Sequence, residues 1–385
     1  MFAPESVAVI GAGRNRGTVG RAILDNIRGG GFRGRVYAVN PRLRQIDGDR
    51  CLPSALDLPE PVDLAVIAVP AASVVGVAEE CGRRGVRALV VITSEIGTAA
   101  SANLIAVCRR HGMRLVGPNC FGVAVPGIGL DATFAASHPQ PGTTGLIMQS
   151  GGLGLAAMER LSRLGIGISS FASVGDKLDV SGNDLLKWWE QDGDTRLAVL
   201  YIESFGNPRT FARTARRLGR AMPVLTVHPG RSALFEQAGI IAVQGIGELV
   251  ELAALLATQP APAGRTVAII SNAGSAGVLV ADAAAGLGLV IHRPRGLTRR
   301  RLHALLPDGG AVDGPVDTTA EVSGETFRQC LELLAADHDV DAIIAVIMPT
   351  GATGDLAAAA QAADINLPIA AVVLDQPESV RLLPR

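Results

Sequence analysis

The sequence predicts an α/β protein built from parallel sheets, and three observations carry that prediction. Short runs of Val, Ile, Leu and Ala alternate with helical stretches of roughly 10 to 15 residues along the whole chain, the pattern of strands joined by crossover helices. A glycine-rich loop follows the first apolar run and opens a helix. A strand–turn–helix unit then occurs twice, once mid-chain and once further on.

The first set of strands reads 6–10, 36–39, 64–69, 88–92 and 114–116, with helices near 19–29, 72–85 and 99–112. This is a Rossmann-like unit. A connector containing Pro126, His138, Pro139 and Pro141 leads to a second series at 145–149, 166–170, 197–202 and 223–226. The proline-rich run Gln259-Pro260-Ala261-Pro262-Ala263-Gly264 reads as a linker. The third series follows it at 266–270, 289–292, 341–348 and 368–374. The repeat pairs Thr144-Gly145-Leu146-Ile147-Met148-Gln149-Ser150-Gly151-Gly152 with Thr266-Val267-Ala268-Ile269-Ile270-Ser271-Asn272-Ala273-Gly274, each a buried strand, a small-residue turn and a helix ending near Leu-Gly. The expected division is a Rossmann-like domain at 1–137 and two flavodoxin-like parallel-sheet domains at 138–262 and 263–385, the last one shortened at its C-terminal end.

Composition removes several function classes. The chain has 385 residues, 35 basic and 36 acidic side chains and a formal charge of −1, so no net field draws nucleic acid or an anionic membrane. Aromatics at 3% leave no base-stacking surface. The longest apolar stretch, 64–78, is cut by Pro70, Ser73 and Gly76 and falls short of a membrane span. With no basic leader, a cytoplasmic protein is expected. Cys51, Cys81, Cys108, Cys120 and Cys330 are scattered, with no ligand spacing to His, so no metal site is expected. Only Lys177 and Lys187 are lysines, a bias that points to genomic composition and not to a task.

The first loop, Gly11-Ala12-Gly13-Arg14-Asn15-Arg16-Gly17-Thr18-Val19-Gly20, is suited to phosphate, because glycine admits close backbone approach and a helix N-terminus offers free N–H groups. Its spacing is one residue longer than the dinucleotide fingerprint. The second strand ends in Asn40-Pro41-Arg42, with no acid to read a ribose hydroxyl. Arg14, Arg16, Arg42 and Arg44 instead suit an extra phosphate, such as the 3′-phosphate of coenzyme A, which disfavours an NAD(P)-dependent oxidoreductase. A tight turn with solvated arginines is the alternative. Ser150-Gly151-Gly152 opens a second helix and reads either as a phosphate cradle or as an ordinary N-cap.

Taken in order, Ser6–Ala12, Val36–Pro41, Ala65–Pro70, Gly117-Pro118-Asn119-Cys120-Phe121-Gly122 and Ser150-Gly151-Gly152 resemble the α subunit of succinyl-CoA synthetase and, more closely, the NDP-forming acyl-CoA synthetases, over nearly the whole chain. Carried over by position, the resemblance implies CoA or acyl-CoA binding by Gly11, Ala12, Gly13, Arg14, Gly17, Gly20, Asn40, Pro41, Arg42, Val69, Pro70, Thr93, Asn119 and Cys120. Members of that family pass a phosphoryl group from an acyl phosphate to a histidine and then, through an ATP-grasp partner, to NDP. The resemblance makes Ser150, Gly151 and Gly152 the phosphate site and Glu203 the carboxylate that holds the histidine ring. It also aligns Ser271–Gly277 and Pro315-Val316-Asp317 with elements of the third domain.

The chain departs from the family at the histidine. Gly230-Arg231-Ser232 runs directly into Gln237-Ala238-Gly239-Ile240, where a histidine-bearing stretch is expected. His228 is the remaining candidate catalytic residue beside Glu203, against a reading as a solvated loop imidazole; His138 and His303 have less to recommend them. Cys120 reads as a small buried thiol under the pantetheine and not as a nucleophile, since no base is argued beside it. The sequence therefore leads to an acyl-CoA-binding protein with a degenerate phosphoryl relay, in a regulatory or acyl-transfer role. The alternative is an active ligase α component whose nucleotide and Mg²⁺ are bound by an ATP-grasp subunit or fused domain. The acyl group and the oligomeric state, homo-oligomer included, stay open.

Overall fold

The computed structural model describes residues 1–204, 207–227, 233–351, 354–374 and 380–381. Two compact units are present, Met1–Ala253 and Ala254–Arg385. The first contains two seven-stranded sheets.

The first sheet is formed by β1 (Ser6–Ile10), β2 (Arg35–Val39), β3 (Gln45–Ile46), β4 (Asp49–Leu52), β5 (Leu64–Ile67), β6 (Ala88–Val91) and β7 (Arg114–Val116), in the order β3-β4-β2-β1-β5-β6-β7. All pairs are parallel except the short β3–β4 hairpin. β1, β5 and β6 are buried at every position, which is why they read as unbroken apolar runs and not as alternating ones. The covering helices are α1 (Val19–Gly29), α2 (Val74–Arg83) and α3 (Thr98–His111). α1 turns Ile23, Leu24 and Ile27 inward, and α3 stops at Gly112, which takes the left-handed conformation with φ +67°. Chain direction across the sheet reverses between β1 and β5, and a crevice at such a switch point is where doubly wound sheets bind ligands.

The second sheet is built from β8 (Gly122–Val125), β9 (Leu130–Thr133), β10 (Pro141–Met148), β11 (Ile168–Ser173), β12 (Leu197–Tyr201), β13 (Val224–Val227) and β14 (Ile241–Val243), ordered β14-β13-β12-β10-β11-β8-β9. Its helices are α4 (Gly151–Arg163), α5 (Gly182–Trp189), α6 (Pro208–Leu218), α7 (Ala233–Ala238) and α8 (Ile246–Thr258). The β8–β9 hairpin lies within 1–137, expected as the first domain, yet β8 pairs antiparallel with β11 of the second sheet. Two four-residue strands joined by a tight turn carry no helix-strand alternation to mark the change of sheet. Trp189 is fully buried, its indole Nε1 donating to Ser170 Oγ at 2.8 Å, and it lies flat enough on β10 that a Cβ on Gly145 would meet its ring at 2.4 Å.

The second unit holds β15 (Thr266–Ser271), β16 (Val290–Ile291), β17 (Val316–Asp317), β18 (Ala342–Ile347), β19 (Ile369–Val373) and β20 (Val380–Arg381), in the order β16-β15-β18-β19-β20 with β17 paired to β15. Four helices accompany them among the described residues: α9 (Gly274–Gly286), α10 (Gly296–Leu305), α11 (Gly324–Ala335) and α12 (Leu356–Gln361). The division between units falls inside α8 and not at the expected proline-rich boundary near 262. β10 and β15 stand in separate sheets, each followed by a small-residue turn and a helix of 13 residues. Both helices end alike. The Leu164-Gly165 and Leu287-Gly288 steps put glycine at φ +73° and +82°, and Ile166 N donates to Leu161 O as Leu289 N does to Ala284 O.

Helix α1 approaches β1 so closely that a Cβ on Gly20 would lie 2.3 Å from the Gly11 carbonyl oxygen, a backbone atom that cannot step aside. Gly20→Ala is expected to destabilise the first unit by about 1–3 kcal/mol through overpacking. Gly76 of α2 has nothing within 4 Å of such a Cβ, so Gly76→Ala is expected to stabilise by about 0.5–1 kcal/mol. Thermal melting should move in opposite directions for the two variants.

A cleft between the strand ends of two sheets

Most of the candidate ligand-binding residues sit at the carboxyl ends of parallel strands. Gly11 follows β1 with φ +97°, and a Cβ there would meet Ala68 O at 2.1 Å, so the first loop lies directly on the β5 turn. Asn40, at the end of β2, ties the loop in place. Its Nδ2 donates to Ala12 O at 2.8 Å and its Oδ1 accepts from Arg42 N at 2.9 Å. Within the loop, Asn15 Oδ1 accepts from Gly17 N at 2.9 Å. Arg14, Arg16, Arg42 and Arg44 are exposed, and no carboxylate among the described residues pairs with them; Arg14 donates only to Gln45 O. Arg21 behaves differently. It is 3% exposed and bridges Asp25 and Asp47, which pins the β3–β4 turn to α1.

After β5, Val69 O accepts from Thr93 Oγ1 at 2.7 Å, and Thr93 O in turn accepts from Asn119 N at 3.0 Å. The turns following β5, β6 and β7 are thus stitched side by side. Asn119 has φ +58°, and its Nδ2 donates to Asp176 Oδ1 at 3.2 Å, across to the second sheet. Backbone bonds reinforce that crossing: Asp176 N donates to Pro118 O at 3.0 Å and Leu178 N to Gly117 O at 3.3 Å. Gly175 makes the approach feasible, since a Cβ there would lie 2.2 Å from Pro118 O.

This junction encloses a cleft of about 670 Å³. Val69, Thr93, Asn119 and Cys120 line one side of it and Gly151 and Gly152 the other, with Phe121 and Phe134 as an apolar wall, their ring centroids 4.0 Å apart. Pro70 is exposed beside it, and Ala12 is buried behind the first loop. Ser150, Gly151 and Gly152 open α4, and the Ser150 side chain makes no capping bond, so the expected alternative of an ordinary N-cap is not what the structure has. A Cβ on Gly152 would meet nothing within 4 Å, so the first turn of α4, whose amides lack intrahelical partners, borders the cleft without crowding.

Next to Ser150, Gln149 Oε1 accepts from both Lys177 Nζ and Glu203 N at 2.8 Å, and Gln149 Nε2 lies 3.4 Å from Glu203 Oε2. Lys177 Nζ also donates to Ser204 O at 2.6 Å and Ser204 Oγ at 2.7 Å. Burial lowers the Lys177 ammonium from its usual range, and the neighbouring Glu203 charge opposes that shift. Neither Lys177 nor Gln149 stood out in the sequence, although Lys177 is one of only two lysines. His228 and the segment 228–232 lie outside the described residues. His138 is held by Asp131 at 2.8 Å, and His303 is exposed on α10. Among the described residues, no group of three or more His, Cys, Asp or Glu side chains is arranged to hold a metal ion.

Cys120 is buried, with its Sγ 3.2 Å from Val91 O, and burial pushes its thiol up to about 12. His111, the nearest histidine in sequence, is engaged with Glu79 at 3.0 Å. The strand-end loops of a doubly wound sheet and the N-terminus of a helix on the second sheet thus border one cleft.

Comparison with known proteins agrees. Residues 5–126 match the family described as CoA binding domain, and residues 141–234 match the succinyl-CoA ligase like flavodoxin domain. The acetate–CoA ligase (ADP-forming) I of Archaeoglobus fulgidus is 36% identical, over 93% of this chain and 56% of its own length. The α subunit of the corresponding Pyrococcus furiosus enzyme I is 34% identical, over 91% of this chain and 82% of its own. The solved structure titled dinucleotide forming acetyl-coenzyme A synthetase 1 of Candidatus Korarchaeum cryptofilum, in complex with phosphate and ADP, superposes with a TM-score of 0.92 at 29% identity, covering 98% of this chain and 89% of that one. The chain belongs to the NDP-forming acyl-CoA synthetase family. It spans about half the length of the longer curated relatives and most of the separate α subunit. No described helix is long and apolar enough to cross a membrane.

All five cysteines are buried and unpaired. Iodoacetamide at pH 8 is therefore expected to leave Cys120 unmodified in the native chain and to alkylate it on unfolding, because almost none of the buried thiol is thiolate at that pH. Peptide mass mapping reads the result, and rapid native alkylation of Cys120 would restore it as a nucleophile candidate.

Proposed function

We propose that this chain is the CoA-binding and phosphoryl-handling component of an NDP-forming acid–CoA ligase. The observation that carries the reading is the single cleft in which Thr93, Asn119 and Cys120 face the open N-terminus of α4 at Gly151 and Gly152. Relatives named as ligases at 36% and 34% identity favour the active enzyme over the degenerate, regulatory protein expected from the sequence. The relatives occur both as long chains and as separate α subunits, so the nucleotide and its Mg²⁺ are assigned to an ATP-grasp component, as a partner subunit or a fused part.

In this reading the first loop (Gly11, Ala12, Gly13, Arg14, Gly17 and Gly20) and the β2 turn (Asn40, Pro41 and Arg42) bind the phosphorylated adenosine end of CoA. Gly11 and Gly20 have no room for a Cβ, and the exposed arginines lack carboxylate partners among the described residues, so backbone and charge are both available to an anion. Val69, Pro70, Thr93 and Asn119 guide the pantetheine arm, with Cys120 packed beneath it. A phosphate at the α4 amides is then placed to attack the thioester carbon. The C–S bond breaks, the thiolate leaves as CoA and an acyl phosphate remains. An imidazole nitrogen next attacks phosphorus, the carboxylate departs with its oxygen, and the phosphoryl group stays on the ring for transfer to NDP. His228 is the candidate imidazole and Glu203 the carboxylate that orients it.

Calorimetry tests the ligand. Arg42→Ala should weaken CoA by about 1.5–3 kcal/mol and leave dephospho-CoA nearly unchanged; equal affinity for NAD and CoA would contradict the assignment. Phosphoryl labelling tests the chemistry. With acyl-CoA and labelled phosphate, the chain should acquire acid-labile, base-stable label that His228→Asn removes, whereas the degenerate reading expects no label at all.

A further inference from the structure

Resting on the ligase reading, we propose that Lys177 is a positioning residue for Glu203, and that it does this from a turn anchored on the CoA side of the cleft. Three strand ends meet at its ammonium. Lys177 follows β11, Gln149 follows β10 and Ser204 follows β12, and the Nζ group donates to all three acceptors, Gln149 Oε1, Ser204 O and Ser204 Oγ, at 2.6–2.8 Å. These bonds tie the turn after β11 to the ends of β10 and β12.

The consequence falls on the residue between them. Glu203 N donates to the same Gln149 Oε1 that Lys177 holds, and Glu203 Oε2 faces Gln149 Nε2. Gln149 therefore fixes both the backbone and the carboxylate of Glu203, and Lys177 fixes Gln149. Glu203 itself is exposed and has no ion-pair partner within bonding distance among the described residues, so among these the bonds to Gln149 are what orient it. A carboxylate left to rotate freely would spend little time in one orientation.

The tie has an unusual base. Lys177 adopts φ +51°, a left-handed conformation uncommon for a residue with a side chain, and its amide bonds Val174 O at 3.0 Å. On either side of it, Asp176 N and Leu178 N donate to Pro118 O and Gly117 O, the carbonyls next to Asn119 and Cys120. The residue that orients Glu203 is thus bonded through its own turn to the CoA side of the cleft. The Glu203 charge acts on the Lys177 ammonium and favours its charged form.

The test compares Lys177→Met, Glu203→Ala, the double variant and the control Lys187→Met, which changes the other lysine on the exposed side of α5. Initial rates of chain phosphorylation from labelled acetyl phosphate and the affinity for CoA are measured for each. Lys177→Met should label about tenfold more slowly or worse while binding CoA within about twofold of the parent, and Lys187→Met should match the parent. In the Glu203→Ala background, Lys177→Met should cost less than about twofold further, because its effect passes through Glu203. Wild-type labelling by Lys177→Met, or an undiminished cost in that background, would overturn the proposal. Hydrogen exchange across residues 201–204 separates it from the ligase reading. If the parent takes no label, that reading falls, and the tie still stands if Lys177→Met speeds exchange there by about tenfold and is refuted if exchange is unchanged.

Discussion

The close backbone contact between the Gly117–Cys120 turn and the Val174–Leu178 turn is the constraint on which the rest of this structure depends. Each turn ends a strand of a different sheet, and either would be an ordinary surface loop alone. Bonded to one another, with Gly175 too near Pro118 O to carry a side chain, they bring the two sets of carboxyl strand ends together around one cleft. Asn119 and Asp176 add a side-chain bond over the same seam, and Arg114 a further pair of ionic contacts, to Asp179 at 2.8 Å and Asp184 at 3.2 Å. Exposed ion pairs of this kind contribute little energy, so the backbone bonds and the glycine set the geometry.

That geometry explains a division of labour. The first sheet offers a glycine loop, exposed arginines and a row of stitched turns, all suited to a long anionic ligand with an apolar arm. The second offers a helix N-terminus with an uncapped Ser150 and a polar cluster around Gln149. In the proposed reaction the two surfaces act together, the first toward CoA and the second toward phosphate. Burial of Cys120 fits the proposed scheme, in which a thiol held well above its usual range would pack beneath the ligand without competing chemically with the ligand's own sulfur.

Much of this was legible in the sequence, for reasons that also mark the limits. β1, β5 and β6 are buried on both faces, so their apolar runs announced a parallel sheet, and Gly11, Asn40 and Gly151 marked the turns after three strands. The doubled strand–turn–helix unit was visible because both copies need the same Leu-Gly helix stop. The β8–β9 hairpin was missed because short paired strands have no periodic signature, and its allegiance is decided by pairing with β11 far along the chain. Lys177 was passed over because its rarity looked compositional; only the fold brings it to Gln149 and Ser204. Asn40 was read for the acid it is not and for a CoA contact; its bonds to Ala12 O and Arg42 N, which lace the β2 turn to the first loop, had no signal in the sequence.

The central claim is that the thiol end of CoA and a phosphate occupy one cleft, on opposite sides of the seam between the two turns. A crystal structure of the chain with a non-hydrolysable acyl-CoA thioether and inorganic phosphate tests this most directly. The account predicts the thioether sulfur beside Thr93, Asn119 and Cys120 and the phosphate on the Gly151 and Gly152 amides, within one continuous volume. A phosphate bound away from those amides, or a pantetheine arm leading out of the cleft, would contradict it.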